Sequence, residues 1–172
     1  MLTCPKCHLE YHNEETRCVV DGAVLEEVTD PRIGKLVGGR YHLDAVLGEG
    51  GMATVFRAHH TVIHRTVAVK LLHPHIARDH RIRERFAREA RSAAAIAHPN
   101  VIEIYDFGDT EDGIPYLVME LLEGDPLRKL VERGPMDLGL AVDVATQLLR
   151  GLARAHDLGV AHRDIKPENA FV

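Results

Sequence analysis

From Arg40 onward apolar and polar positions alternate: Tyr41-His-Leu-Asp-Ala-Val-Leu47, a glycine cluster, Thr54-Val-Phe-Arg-Ala58, then Thr66-Val-Ala-Val-Lys-Leu71. A period of two puts successive side chains on opposite faces of a sheet, so three antiparallel strands are predicted. The period then lengthens. Ile82, Phe86, Ala90, Ala93, Ala94 and Ala97 recur at helical spacing between Arg78 and Ala97, and His98-Pro-Asn100 stops the helix. Two more strands, Val101 to Phe107 and Tyr116 to Leu121, flank the polar turn Asp109-Thr-Glu-Asp-Gly113. A short helix near Pro126 to Glu132 and a longer one from Asp137 to Asp157, ended by Gly159, complete the pattern. Five strands around one helix, followed by helices, is an α+β order.

The first 39 residues lack this regularity. All three cysteines fall there, as Cys4-Pro-Lys-Cys7 and, ten residues later, Cys18-Val-Val-Asp21. Three is the wrong number for a closed set of disulfides. Paired ligands two residues apart instead predict a tetrahedral zinc site, because each short turn folds two side chains onto one ion. The second turn has the spacing of another Cys-x-x-Cys with aspartate at its last position, and a carboxylate oxygen is an accepted zinc ligand. Cys4, Cys7 and Cys18 are thus expected ligands, with Asp21, His8 and His12 competing for the fourth place. A segment of residues 1–25 is too small to bury a core, so metal would supply most of its folding free energy. Its pattern resembles the short zinc ribbons found ahead of bacterial signalling domains. Residues 26–39, rich in glycine and containing Asp30-Pro31, read as a linker.

Composition narrows the function. With 45% hydrophobic and 27% charged residues the chain is an ordinary globular one. No run approaches the roughly 20 apolar residues that span a bilayer, and the start lacks the apolar core of a secretory signal, so a cytoplasmic location is expected. Residues 1–30 hold two basic residues against seven acidic ones, whereas residues 31–172 hold 19 of each sign. A nucleic-acid partner needs a basic patch, and none is expected at the N-terminus. The six arginines between Arg78 and Arg91 are interleaved with Glu84 and Glu89 and read as a solvated helix face.

The glycine cluster Gly48-Glu-Gly-Gly-Met-Ala53 precedes β-branched and aromatic residues, not a helix, so it closes a hairpin and not the first turn of a dinucleotide fold. Without side chains, its backbone N–H groups can approach phosphate oxygens. Five segments then stand in one order: Leu47-Gly-Glu-Gly-Gly-Met-Ala-Thr-Val55, Val67-Ala-Val-Lys70, Phe86-Ala-Arg-Glu89, Tyr116-Leu-Val-Met-Glu120 and His162-Arg-Asp-Ile-Lys-Pro-Glu-Asn169. Residues 40–172 resemble a bacterial serine/threonine protein kinase of the eukaryotic-like type.

The resemblance implies a kinase-like upper lobe over residues 40–122, a five-stranded antiparallel sheet plus one helix, and the start of a helical lower lobe over 123–172. It implies ATP and magnesium as cofactors and a protein with a Ser/Thr acceptor as substrate. Leu47, Gly48, Gly50, Val55 and Ala68 would surround the nucleotide, with Ala53 where the motif's third glycine usually stands. Lys70 would meet the α and β phosphates, its position fixed by an ion pair to Glu89. Glu120 to Leu122 would form the hinge against the adenine edge, with Met119 behind. In the catalytic loop Asp164 would accept the substrate's hydroxyl proton, Lys166 would neutralise charge on the phosphoryl group and Asn169 would bind magnesium. His162 reads as a core histidine. The ribose contact, in the stretch of Asp125-Pro126, stays open.

The sequence ends at Ala170-Phe-Val172 without an Asp-Phe-Gly, so the resemblance implies a fragment with an incomplete magnesium site. Two functions compete: an ATP-dependent protein serine/threonine kinase, and a non-catalytic nucleotide-binding or scaffold protein.

Overall fold

The computed structural model describes residues 2–4, 6–7, 9–11, 15–27 and 30–172. The chain divides into two compact units, Met1–Gly34 and Lys35–Val172. In the first unit, β1 (Leu2–Thr3) pairs antiparallel with both β2 (Glu10–Tyr11) and β3 (Glu26–Glu27). Its buried apolar residues are Cys4, Tyr11, Cys18 and Leu25, a cluster in which sulfur replaces much of the usual hydrocarbon.

The second unit is built on a six-stranded antiparallel sheet in the order β4-β5-β6-β7-β9-β8. Its strands are β4 (Leu36–Val37), β5 (Tyr41–Glu49), β6 (Ala53–His60), β7 (Thr66–Leu72), β8 (Ile104–Asp109) and β9 (Pro115–Met119). One strand more than expected is present, because β4 adds a two-residue edge to β5. The segment expected as linker, 26–39, is therefore not uniformly irregular: it contributes β3 to one sheet and β4 to the other.

Register assigns the two faces of this sheet. Leu43, Phe56, Ala58, Val67, Val69 and Val118 are fully or almost fully buried, and cross-strand pairing aligns them: Leu43 with Ala58, Ala58 with Val67, Phe56 with Val69, Val69 with Val118. The intervening residues form the opposite face, where Val55 pairs with Lys70, Lys70 with Leu117, and Ala68 with Met119. At one end of that face Ala53 and Leu72 pack against Ala77 and Phe86, with Phe107 and Leu117 beside them.

These last contacts come from α1 (Pro74–Ala77) and α2 (His80–Ala94). Helix α2 starts at His80, two residues after the expected Arg78, because the Asp79 carboxylate caps it by accepting from the Arg81 N–H. Phe86 and Ala90 face the sheet, while five of the six arginines are exposed and Arg83 binds Asp109 and the Gly113 carbonyl. The chain then forms α3 (Leu127–Glu132) and α4 (Leu138–Asp157), the latter capped by Asp137. Gly151 lets α4 approach the Asn100 carbonyl, which an added Cβ would meet at 2.9 Å. No helix among the described residues is long and apolar enough to cross a membrane.

Gly38 is demanded by both backbone and packing: its φ is +56°, and an added Cβ would lie 2.1 Å from the hydroxyl oxygen of buried Tyr116. Gly38→Ala is expected to cost roughly 2–4 kcal/mol, combining left-handed strain with overpacking. Gly34→Ala, at φ +83° with nothing within 4 Å, should cost only about 1 kcal/mol. Urea denaturation of the two variants tests the difference, and equal losses would show that the Tyr116 contact is inconsequential.

Candidate nucleotide and metal sites

The β5–β6 hairpin carries the glycine cluster at its tip, closed by the Gly50 N–H donating to the Ala53 carbonyl over 2.9 Å. None of Gly48, Gly50 and Gly51 has a positive φ, and an added Cβ would meet nothing within 4 Å at Gly48 or Gly51 and only a backbone oxygen at 3.7 Å at Gly50. Neither backbone nor packing requires glycine here, in contrast to Gly38. What glycine provides is an open backbone. A bulge between Val46 and Gly48 leaves Leu47 exposed beside it.

Behind the hairpin tip, one sheet face carries half-buried Val55, buried Ala68, half-buried Lys70 and Met119, each delivered by the period-two alternation of its strand. Met119 lies beside Ala68 by register, which fits a residue that belongs at once to the core and to the back of a pocket. Past β9 the chain runs through Glu120 to Leu122 without regular structure. The Glu120 N–H donates to the Glu103 carbonyl over 2.9 Å, while the Glu120 carbonyl and the Leu122 N–H have no hydrogen-bond partner among the described residues. Those two groups are the pair a planar heterocycle edge could use. Asp125 is committed elsewhere, to Lys129 at 2.9 Å and Arg133 at 3.1 Å, which hold its carboxyl below the ordinary range.

The expected ion pair between Lys70 and Glu89 is not formed. Glu89 is largely exposed and accepts from Arg85, one helical turn earlier, over 2.7 Å. Among the described residues Lys70 has no ion-pair partner. The i, i+4 spacing of Arg85 and Glu89 was the available signal for this arrangement. An exposed pair of that kind is worth only about 0.3–0.5 kcal/mol, so Glu89 is weakly held.

The catalytic-loop residues do come together. Lys166 Nζ lies 2.8 Å from Asp164 Oδ2, and Asn169 Nδ2 donates to the Asp164 carbonyl at 2.9 Å and to Oδ2 at 3.1 Å. Lys166, and then Asn169, hold the Asp164 carboxyl below its usual range, and Asp164 in turn raises Lys166. Arg163 adopts φ 63°, a left-handed conformation that costs a non-glycine residue energy and turns the chain just before Asp164. His162 is exposed, not part of the core: its Nδ1 accepts from the Asp164 N–H at 3.3 Å, so a hydrogen bond and not burial fixes the ring. Sequence reasoning missed the anchor of this loop. Pro126 and Phe171 form a β-bridge, Leu127 N–H donates to the Ala170 carbonyl at 2.7 Å, and Arg128 pairs with Glu168 at 2.5 Å. A cavity of about 490 Å³ lined by Pro74, Arg78, Arg83, Asp112 and Ile114 shares no residue with the glycine tip or the Lys70 face, and nothing in its lining marks it as the nucleotide site.

In the first unit the two ligand turns repeat one geometry. The Cys4 N–H donates to the Leu9 carbonyl and the Cys18 N–H to the Ala23 carbonyl, each five residues on. The Lys6 N–H points at Cys4 Sγ and the Val20 N–H at Cys18 Sγ, both at 3.4 Å. Asp21 occupies in the second turn the place of Cys7 in the first, and its Oδ2 accepts from Cys4 Sγ at 3.2 Å, while the Cys7 and Cys18 sulfurs are 3.4 Å apart. One donor atom from each of the four residues lies within 4.8 Å of the others. Donors at zinc–sulfur distances of about 2.3 Å sit roughly 3.8 Å apart around a tetrahedral ion, so this set could close on zinc with shifts of no more than about an ångström. His8 and His12 lie outside the described residues.

Comparison with known proteins agrees with this layout. Residues 41–172 match the model of the protein kinase domain. The chain is 41% identical over 145 residues to the serine/threonine-protein kinase pkn3 of Myxococcus xanthus, covering 84% of this chain and 26% of that protein. It is 42% identical over 141 residues to the serine/threonine-protein kinase PrkC of Bacillus subtilis, covering 81% and 22%. The chain thus spans about a quarter of the length of these curated relatives. Among solved structures, the PknI kinase domain of Mycobacterium tuberculosis superposes with a TM-score of 0.70 at 29% identity, over 84% of this chain and 59% of that one. With the family model spanning the glycine hairpin, the Lys70 face and the Asp164 loop, the chain belongs to the protein kinase domain family.

Proposed function

We propose that this chain is part of an ATP-dependent protein serine/threonine kinase, with residues 40–122 as the nucleotide-binding upper lobe, 123–172 as the start of the lower lobe, and 1–25 as a zinc-held module. The observation that carries the reading is the hydrogen-bonded set of Asp164, Lys166 and Asn169, downstream of a glycine hairpin whose glycines have no packing role. ATP is the phosphoryl donor and a protein Ser/Thr hydroxyl the acceptor. Magnesium, when bound, would supply positive charge to offset that of the donor's phosphates. The backbone of Gly48 and Gly50 approaches those phosphates, Lys70 pairs with them, and Val55, Ala68 and the Glu120–Leu122 backbone hold the adenine. Asp164 accepts the hydroxyl proton, for which its anionic form is required, and Lys166 offsets charge on the transferring group. Asn169 is the magnesium-binding position on this loop. The unbridged thiols of Cys4, Cys7 and Cys18 suit the reducing cytoplasm.

The second reading, a non-catalytic nucleotide-binding scaffold, draws on the Arg85–Glu89 pair, which leaves Lys70 without its expected partner. Nucleotide binding is common to both. Calorimetry with a non-hydrolysable ATP analogue and magnesium should show binding that falls about tenfold or more in Lys70→Met, the scale of one lost charge-assisted hydrogen bond. Undiminished binding in that variant would place the nucleotide elsewhere and remove both readings.

A further inference from the structure

We propose that His42, Asp44 and His59 form a second metal site, selective for a first-row divalent ion of the zinc class. His42 on β5 and His59 on β6 are direct cross-strand partners. Their rings stand 4.9 Å apart, tilted by only 37°, so both can present a nitrogen to one point. Asp44 is the extra residue of a bulge: Leu43 pairs with Ala58 and Ala45 with Arg57, leaving Asp44 with no partner opposite. Bulges re-aim a side chain, and here the carboxylate is brought between the two imidazoles. Asp44 Oδ1 lies 2.8 Å from His42 Nδ1 and 2.9 Å from His59 Nδ1, and Oδ2 lies 3.0 Å from the latter.

The donor chemistry selects the ion. Two imidazoles and one carboxylate suit zinc, copper or nickel, whereas magnesium and calcium prefer oxygen alone. Around a tetrahedral ion with bonds near 2.0–2.1 Å, donors sit about 3.3 Å apart, so the Asp44 oxygen needs to part from each imidazole nitrogen by about half an ångström to admit it. Side-chain exposures of 38%, 24% and 39% leave a path for the ion and room for water at the fourth position. The site shares neither ligands nor unit with the cysteine cluster. It lies on the face that carries Val55 and Lys70, four residues along β6 from Val55, about 13 Å. An ion there would tie β5 to β6 at the end opposite the glycine tip.

Zinc titration of the full chain, followed by metal content after desalting and by the ¹⁵N shifts of the histidine rings, tests the assignment. The wild-type chain should hold one equivalent more than a chain carrying His42→Ala and His59→Ala, whatever the cysteine cluster holds, and the His42 and His59 rings should shift together. Asp44→Asn, which keeps the shape and removes the charge, should lose the same equivalent. Magnesium at the same concentration should leave both rings unmoved. Equal metal content in wild type and double variant, or ring shifts with magnesium matching those with zinc, would overturn the proposal.

Discussion

Asp164→Asn should lower phosphoryl transfer by about 10²–10⁴-fold, the range general-base catalysis supplies, while leaving nucleotide affinity nearly unchanged. The substitution keeps the side chain's size and removes only its capacity to take a proton. The measurement is radiolabel transfer to a generic protein substrate, made with residues 1–172 and with the longest reading frame that contains them. Loss of transfer at constant nucleotide affinity supports the catalytic assignment. Unchanged transfer in Asp164→Asn would refute it, and a parent that binds nucleotide but never transfers phosphate would leave the scaffold reading.

The electrostatics around Asp164 fix the sign of its pH dependence. Its carboxyl is held below the ordinary range by Lys166 first and Asn169 second. The proton-accepting anion is therefore present throughout the neutral range and is lost only as pH falls through that depressed value. Removing the ammonium in Lys166→Ala should move the acidic limb of the rate profile upward, toward the usual carboxylate range, in addition to lowering the plateau. An acidic limb that stays in place would show that the close Lys166 contact does not govern Asp164.

What the sequence made legible is what short-range rules control. Alternation located β5 and β6, whose Leu43, Phe56 and Ala58 are buried, apolar runs located β7 and β9, and a helical repeat located α2 through Phe86 and Ala90; β8 was found although none of its residues is fully buried. The strand β4 escaped, since two residues carry no period and Leu36–Val37 is held by its pairing with β5 and not by its own pattern. Glu89 was assigned to Lys70 by motif, but a local i, i+4 partner competes with one across the lobe, and in this structure Arg85 holds it. His162 reads from the sequence as a core residue, whereas it is exposed and its ring is held by the Asp164 N–H, a contact that residue type alone does not signal. The Asp44 bulge was illegible for a related reason: alternation predicts which face a residue takes, not where one strand gains a residue over its neighbour.

For the N-terminal unit the spacing of ligands was the whole signal, and it leads to the second large effect: replacing Cys4 by serine should abolish stoichiometric zinc and unfold this unit while leaving the kinase-like unit folded. The apolar cluster of Cys4, Tyr11, Cys18 and Leu25 is far below what an independent core requires, whereas structural zinc contributes on the order of 10 kcal/mol in small modules. The Leu9 backbone favours the Cys7 thiolate, but burial and the hydrogen bonds to Cys18, Cys4 and Asp21 outweigh it and push the thiol up to about 12. Asp21 is held down to about 2, by the Ala23 N–H first and Cys4 second, which favours its ionised form. A divalent ion would replace the proton that Cys7 otherwise keeps, and acid should then release zinc by reprotonating sulfur. Asp21→Ala should therefore lose the metal as Cys4→Ser does, and replacing His8 or His12 should not. Metal content and limited proteolysis of the N-terminal segment read both effects. Zinc retained in Cys4→Ser, or zinc absent from the parent chain, would remove the metal from this unit.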